Sequence, residues 1–68
     1  MANIMKETLI GDAIMAGNSE AIANVLREAG MHCFGCAIAH GETVEQAAAV
    51  HGIDADVLVE KLNEAAES

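Results

Sequence analysis

The chain has 68 residues and two cysteines, with 3 basic against 11 acidic side chains and a formal charge of −8 with the histidines neutral. Neither nucleic acid nor an anionic membrane surface suits this charge. Lys6, Arg27 and Lys61 are too few and too scattered to bind phosphates, and Phe34 is the only aromatic ring for stacking a base. The length accommodates one domain spanning residues 1–68, and a chain this short hides only about 60% of its unfolded surface, so packing must be efficient or shared in a homodimer.

Residues 1–11 carry no basic start followed by a continuous apolar run, since Lys6 and Glu7 interrupt the pattern, so a cytoplasmic location is expected. The first predicted helix covers residues 9–16, capped by Thr8 and burying Ile10, Ala13 and Ile14, although Gly11 weakens it by about 1 kcal/mol relative to alanine. A second helix is predicted over residues 19–29. It places Ile22, Val25, Leu26 and Ala29 on one face, has Glu20 near its positive end, and stops at Gly30.

Beyond the cysteines, Thr43-Val44-Glu45-Gln46 has the form of a capping box, which opens a helix running to about residue 50 before Gly52 stops it. Asp54 then caps a last helix to about residue 66. Ile53 is placed to staple onto Leu58, with Leu58, Leu62 and Ala65 inward and Glu60 and Glu64 in water. Strict alternation of apolar and polar residues is absent, as is proline, and 53% hydrophobic content rich in alanine favours close helix packing. The expected fold is therefore all-α, a compact single-domain bundle of four or five short helices.

The segment between these helices, residues 30–41, holds both cysteines and two of the three histidines, and none of the eleven acids. It is a neutral, partly apolar island in an acidic chain. At 13 residues, the uncharged stretch 29–41 is too short for the roughly 20 apolar residues of a membrane span. A disulfide between Cys33 and Cys36 would close so small a loop that it would constrain the unfolded chain little, so sulfur chemistry rather than stapling is the expected purpose. Two intervening residues at a turn-to-helix junction let two sulfurs meet without large backbone movement.

Thiolate is the reactive form of cysteine, and an unperturbed thiol near pKa 8.5 is only slightly ionised at neutral pH. A helix beginning around residues 34–36 would aim free backbone amides at a sulfur, and protonated His32 or His40 would add positive charge. The net charge of −8 opposes both, so a moderately activated dithiol is expected, with Cys33 attacking, Cys36 resolving and no cofactor required. The competing arrangement is a metal site in which Cys33, Cys36, His32 and His40 supply four tetrahedral ligands. Adjacent His32 and Cys33 chelate one ion poorly, so zinc or an iron–sulfur cluster shared between two CxxC pairs in a dimer is the better form of that alternative. In a structural role, the two thiols would simply be small buried side chains that happen to be close.

Two familiar motifs fit less well. Residues 30–36 look like the GMxCxxC loop of heavy-metal-associated copper chaperones, but there the loop follows a first strand, whereas here it follows a helical stripe. Ala37 stands where a covalent haem site needs histidine. His51 is expected at the end of the helix before Gly52, where a cation meets the negative helix terminus, and Met31, Phe34 and Ile38 as packing residues.

The order of these features, Glu28-Ala29-Gly30-Met31-His32-Cys33-Phe34-Gly35-Cys36, then Glu42 to Ala48, His51-Gly52-Ile53-Asp54, and Leu58 to Asn63, resembles the hybrid-cluster-protein-associated redox disulfide domain. It is also similar to the amino-terminal module of some iron–sulfur cluster repair proteins. The resemblance covers nearly the whole chain. It implies a small all-α fold, a bacterial or archaeal cytoplasmic setting, a protein redox partner, and a redox role for Cys33 and Cys36. Members often carry proline at the position of Ser19, which would make Asn18 the cap of the second helix.

Overall fold

A computed structural model describes residues 3–31 and 39–68. Among these residues the architecture is four helices: α1, Ile10–Ile14; α2, Ser19–Glu28; α3, Val44–Val50; and α4, Ala55–Ala66. The fold is all-α, as the helical periodicities predict, and α4 packs against both α2 and α3 while α1 touches α2 and α3. Ile4, Ile10, Ile22, Leu26, Val44 and Leu62 are the largest fully buried side chains. Burying each isoleucine or leucine is worth about 1.5–3 kcal/mol. Within the described residues no polar or charged side chain is buried, so this core is wholly apolar.

Local chemistry sets most helix ends. Asn18 Oδ1 accepts from the Ala21 amide at 3.2 Å to start α2, and Asp54 Oδ1 accepts from the Asp56 amide at 2.9 Å to start α4. The capping box of α3 is complete. Thr43 Oγ1 accepts from the Gln46 amide at 3.2 Å, while Gln46 Oε1 accepts from the Thr43 amide at 3.0 Å. At the other end of α2, Gly30 takes φ +103°, the Met31 amide donates to the Leu26 carbonyl and the Gly30 amide to the Arg27 carbonyl, both at 3.0 Å. This is a Schellman turn, and its expected apolar contact is made by buried Met31 and Leu26. An equivalent turn ends α3, where Gly52 has φ +68° and the Ile53 amide donates to the Ala48 carbonyl at 2.8 Å.

The start of the chain departs from expectation. Thr8 does not cap α1, which begins at Ile10 after an N-cap Leu9 that makes no side-chain bond, and the helix ends at Ile14 rather than residue 16. The Thr8 hydroxyl instead accepts from the Met5 amide at 2.9 Å, and its carbonyl accepts from the Val44 amide at 2.8 Å. That second bond belongs to a short tertiary pairing in which the Ile10 amide donates to Glu42, the Glu45 amide donates to Lys6, and Leu9 bridges Thr43 antiparallel. Long-range backbone bonding therefore outcompetes the local cap. The Met15 and Ala16 amides close α1 with shorter i→i−3 bonds to Asp12 and Ala13, which tighten its last turn.

Asn63 on α4 holds the N-terminal segment by both halves of its amide. Its Oδ1 accepts from the Ile4 amide at 2.8 Å and its Nδ2 donates to the Ile4 carbonyl at 3.0 Å. The pair mimics a strand partner for one residue and seats the Ile4 side chain, 2% exposed, in the core. Asn63→Ala is expected to destabilise the fold by about 2 kcal/mol, because two part-buried backbone groups lose their partners together. Urea denaturation gives the size, and loss of hydrogen-exchange protection at the Ile4 amide locates it.

Lys6 extends the same linkage outward, its Nζ lying 3.2 Å from Asp56 Oδ1 at the first turn of α4. The hydrogen bond from Lys6 to Asp56 and the charge on that carboxylate raise the lysine above its ordinary pKa. A raised lysine favours the folded state below the ordinary lysine range and loses that effect as pH rises through the raised value, so the contribution is constant near neutrality.

Candidate functional site

The candidate site is built on the segment between α2 and α3. His32, Cys33, Cys36, the packing residues Phe34 and Ile38, and the helix expected around residues 34–36 lie outside the described residues. What the described residues define is the frame from which that segment departs and to which it returns. On the α2 side, the Schellman turn fixes the exit direction at Gly30, and Met31, 4% exposed, plugs the core immediately before the segment begins. Met31 is thus the packing residue expected from the sequence. On the α3 side, His40 is exposed, Gly41 takes φ +66°, and the Glu42 carbonyl accepts from the Ile10 amide at 2.9 Å before the capping box begins. A glycine with positive φ flanks each end, a conformation that costs residues bearing a Cβ about 1–2 kcal/mol.

His51 takes the position expected for it as C-cap of α3, but the tertiary fold adds a neighbour. A Cβ built on Gly30 would sit 3.5 Å from His51 Nδ1, so the third histidine of the chain stands beside the residue where the cysteine segment leaves α2. No spacing rule links positions 30 and 51, and only the packing of α2 and α3 around α4 brings them together. His40 is the one member of the four-ligand set read from the sequence that falls within the described residues. Among those residues, no group of three or more histidine, cysteine, aspartate or glutamate side chains converges into a metal-binding cluster.

Beside this frame, a groove of about 210 Å³ runs between the C-terminal end of α2 and the N-terminal end of α4. Val25, Ala29, Ile53, Val57 and Leu58 form its apolar lining, and Glu28 and Lys61 its charged edge. Ala29 directly precedes Gly30, and Ile53 follows His51 by two residues, so the groove opens next to the base of the cysteine segment. Sequence reading placed Val25, Ala29 and Ile53 as core-facing, and they do pack against the core while leaving this hollow. Among the described residues, no helix is long and apolar enough to cross a membrane.

Fold and segment together define a small all-α domain with a CxxC pair inserted between two glycine-terminated helical frames. The chain belongs to the family described as domain of unknown function (DUF1858), whose model matches residues 4–59. That assignment is consistent with the redox-disulfide family that the sequence resembles, and the match spans α1, α2, α3 and the first turns of α4. Neither a curated protein nor a solved structure matches the chain.

Proposed function

We propose that the protein is a thiol–disulfide exchange module in which Cys33 and Cys36 form the redox pair. The observation that carries this reading is the CxxC pair in the longest acid-free stretch of an acidic chain, entered and left through glycines with positive φ. In the proposed reaction, the Cys33 thiolate attacks one sulfur of a partner disulfide, forming a mixed disulfide and releasing the partner's other sulfur as thiolate. The Cys36 thiolate then attacks Cys33 Sγ and frees the second partner sulfur. Two electrons and two protons pass to the partner, and the module ends as the Cys33–Cys36 disulfide. The resemblance to hybrid-cluster-associated and cluster-repair modules supports a cytoplasmic protein partner under oxidative or nitrosative stress.

Intact mass, metal content and thiol count on protein purified anaerobically without added metal, then poised across a glutathione redox series, test the reading. A metal-free chain that reversibly loses two hydrogens is the expected result. Stoichiometric zinc or iron with blocked thiols would replace it with the shared metal site, and thiols that stay reduced throughout would leave a structural role. The order of attack has its own test. Cys36→Ser exposed to glutathione disulfide is expected to accumulate the glutathione adduct at Cys33, whereas the wild type passes through it. An adduct on Cys33→Ser instead would reverse the two roles.

A further inference from the structure

We infer that the seam between α2 and α4 is the interface of a homodimer, in which a second copy of the chain, related by a twofold axis along the groove, completes a four-helix arrangement. The two helices run antiparallel. The Asn18 amide at the start of α2 donates to the Ala66 carbonyl at the end of α4 at 3.1 Å, while Glu28 at the end of α2 shares the groove with Val57 in the first turn of α4. Val25, Ala29 and Ile53 are only partly buried there and Val57 is 44% exposed, so an apolar strip stays open along the groove. A second, more open hollow of about 380 Å³ continues the seam toward the end of α4, sharing Val25, Glu28 and Lys61. Two antiparallel helix pairs laid face to face bury such strips in one common core.

The charges that line the seam select a second copy as its occupant. Glu28 stands on the α2 wall and Lys61 on the α4 wall, and both border the two hollows, so they lie at one level of the groove. Neither forms an ion pair with another described residue. A uniformly basic partner would match Glu28 and repel Lys61, and an acidic one would do the reverse. A copy turned about the twofold sets its Lys61 opposite Glu28 and its Glu28 opposite Lys61, so one contact made twice matches both walls. Glu64, the other acid of the seam, then faces the α2 wall of the second copy near Asn24, whose Oδ1 accepts from Arg27 Nη1 at 2.8 Å, and so meets a cation-bearing stretch. The charge of −8 per chain opposes association at long range, but at physiological salt that repulsion is screened beyond about 8 Å, and the groups at the interface decide the contact.

Sedimentation equilibrium of the full chain, with a thiol reductant and a metal chelator present at about 0.15 M salt, tests the interface. The reductant removes intermolecular disulfides and the chelator removes any metal shared between cysteine pairs, so the outcome is independent of the thiol–disulfide reading. Wild type is expected to show a monomer–dimer equilibrium. Glu28→Lys and Lys61→Glu are each expected to weaken the dimer at least tenfold, because like charges then meet across both contacts. Both positions are exposed, so the fold is retained, which circular dichroism checks.

Two comparisons separate this interface from bulk electrostatics. Glu28→Lys makes the chain less acidic by two charges, so association limited by overall repulsion would tighten in this variant, whereas the interface predicts that it weakens. An equimolar mixture of the two variants is expected to form a heterodimer of near wild-type affinity, since lysines at positions 28 and 61 of one chain then face glutamates at positions 61 and 28 of the other. Wild type that stays monomeric at millimolar concentration, unchanged or tighter association of either variant, or a mixture that associates no better than the single variants would each overturn the interface.

Discussion

Leu62→Ala will populate the unfolded state at room temperature. Leu62 is fully buried in α4, the helix that packs on both α2 and α3, so its truncation leaves a cavity in the core that joins the helices. Such leucine-to-alanine changes cost about 2–5 kcal/mol, through lost transfer energy and a cavity that closes only in part. At roughly 0.05–0.15 kcal/mol per residue, the 68-residue chain has only about 3–10 kcal/mol of stability to lose. Circular dichroism during urea titration should show a truncated or absent native baseline. Leu62→Met, which conserves volume, should cost less than about 1.5 kcal/mol. Equal losses for both variants would mean that packing at position 62 is not what holds the helices together.

Gly17→Ala is expected to destabilise the protein by about 1–3 kcal/mol, against the usual direction for such a change. Gly17 is solvent-exposed and lacks a positive φ, so general rules predict a gain of about 0.4–1 kcal/mol from a stiffer unfolded chain. A Cβ at this position, however, would lie 2.4 Å from the Ala66 carbonyl oxygen and 2.8 Å from the Ala66 Cβ. The obstacle is backbone and cannot rotate away. It is also in use, because the Ala66 carbonyl accepts from the Asn18 amide at 3.1 Å, tying the α1–α2 turn to the end of α4. Thermal and urea midpoints measured beside the wild type settle the sign. A higher midpoint in the variant would show that the turn moves away from α4 at little cost.

Helix identity was legible wherever neighbouring residues decide it. The stripe from Ile22 to Ala29, the Thr43–Gln46 box, the Asp54 cap and the stops at Gly30 and Gly52 all involve groups within a few positions of one another, and each takes its expected form. Thr8 misled because its hydroxyl and carbonyl found partners at Met5 and Val44. A threonine before an apolar run signals a cap only when no distant backbone competes for the same chain. The chemistry of the candidate site, the CxxC pair and its acid-free surroundings, was visible in the sequence, as was Met31 as a packing residue. The neighbours of that site were not visible, since His51 and Ile53 approach Gly30 and Ala29 from the distant turn between α3 and α4.

By itself, the sequence determined an all-α chain, its helix caps and glycine stops, its membership of a family of unknown function and the acidic surroundings of an uncharged segment. These properties follow from short-range hydrogen bonding, hydrophobic periodicity and composition, which operate over a few residues or over the chain as a whole. Only the tertiary structure decided that Asn63 would clasp Ile4, that Gly17 would be pressed against Ala66, that His51 would stand beside Gly30, and that an apolar groove would open between α2 and α4. Each of these joins positions 20 or more residues apart. Such encounters are selected by how α2 and α3 share the apolar surface of α4 while α1 packs on both, and no local spacing encodes them.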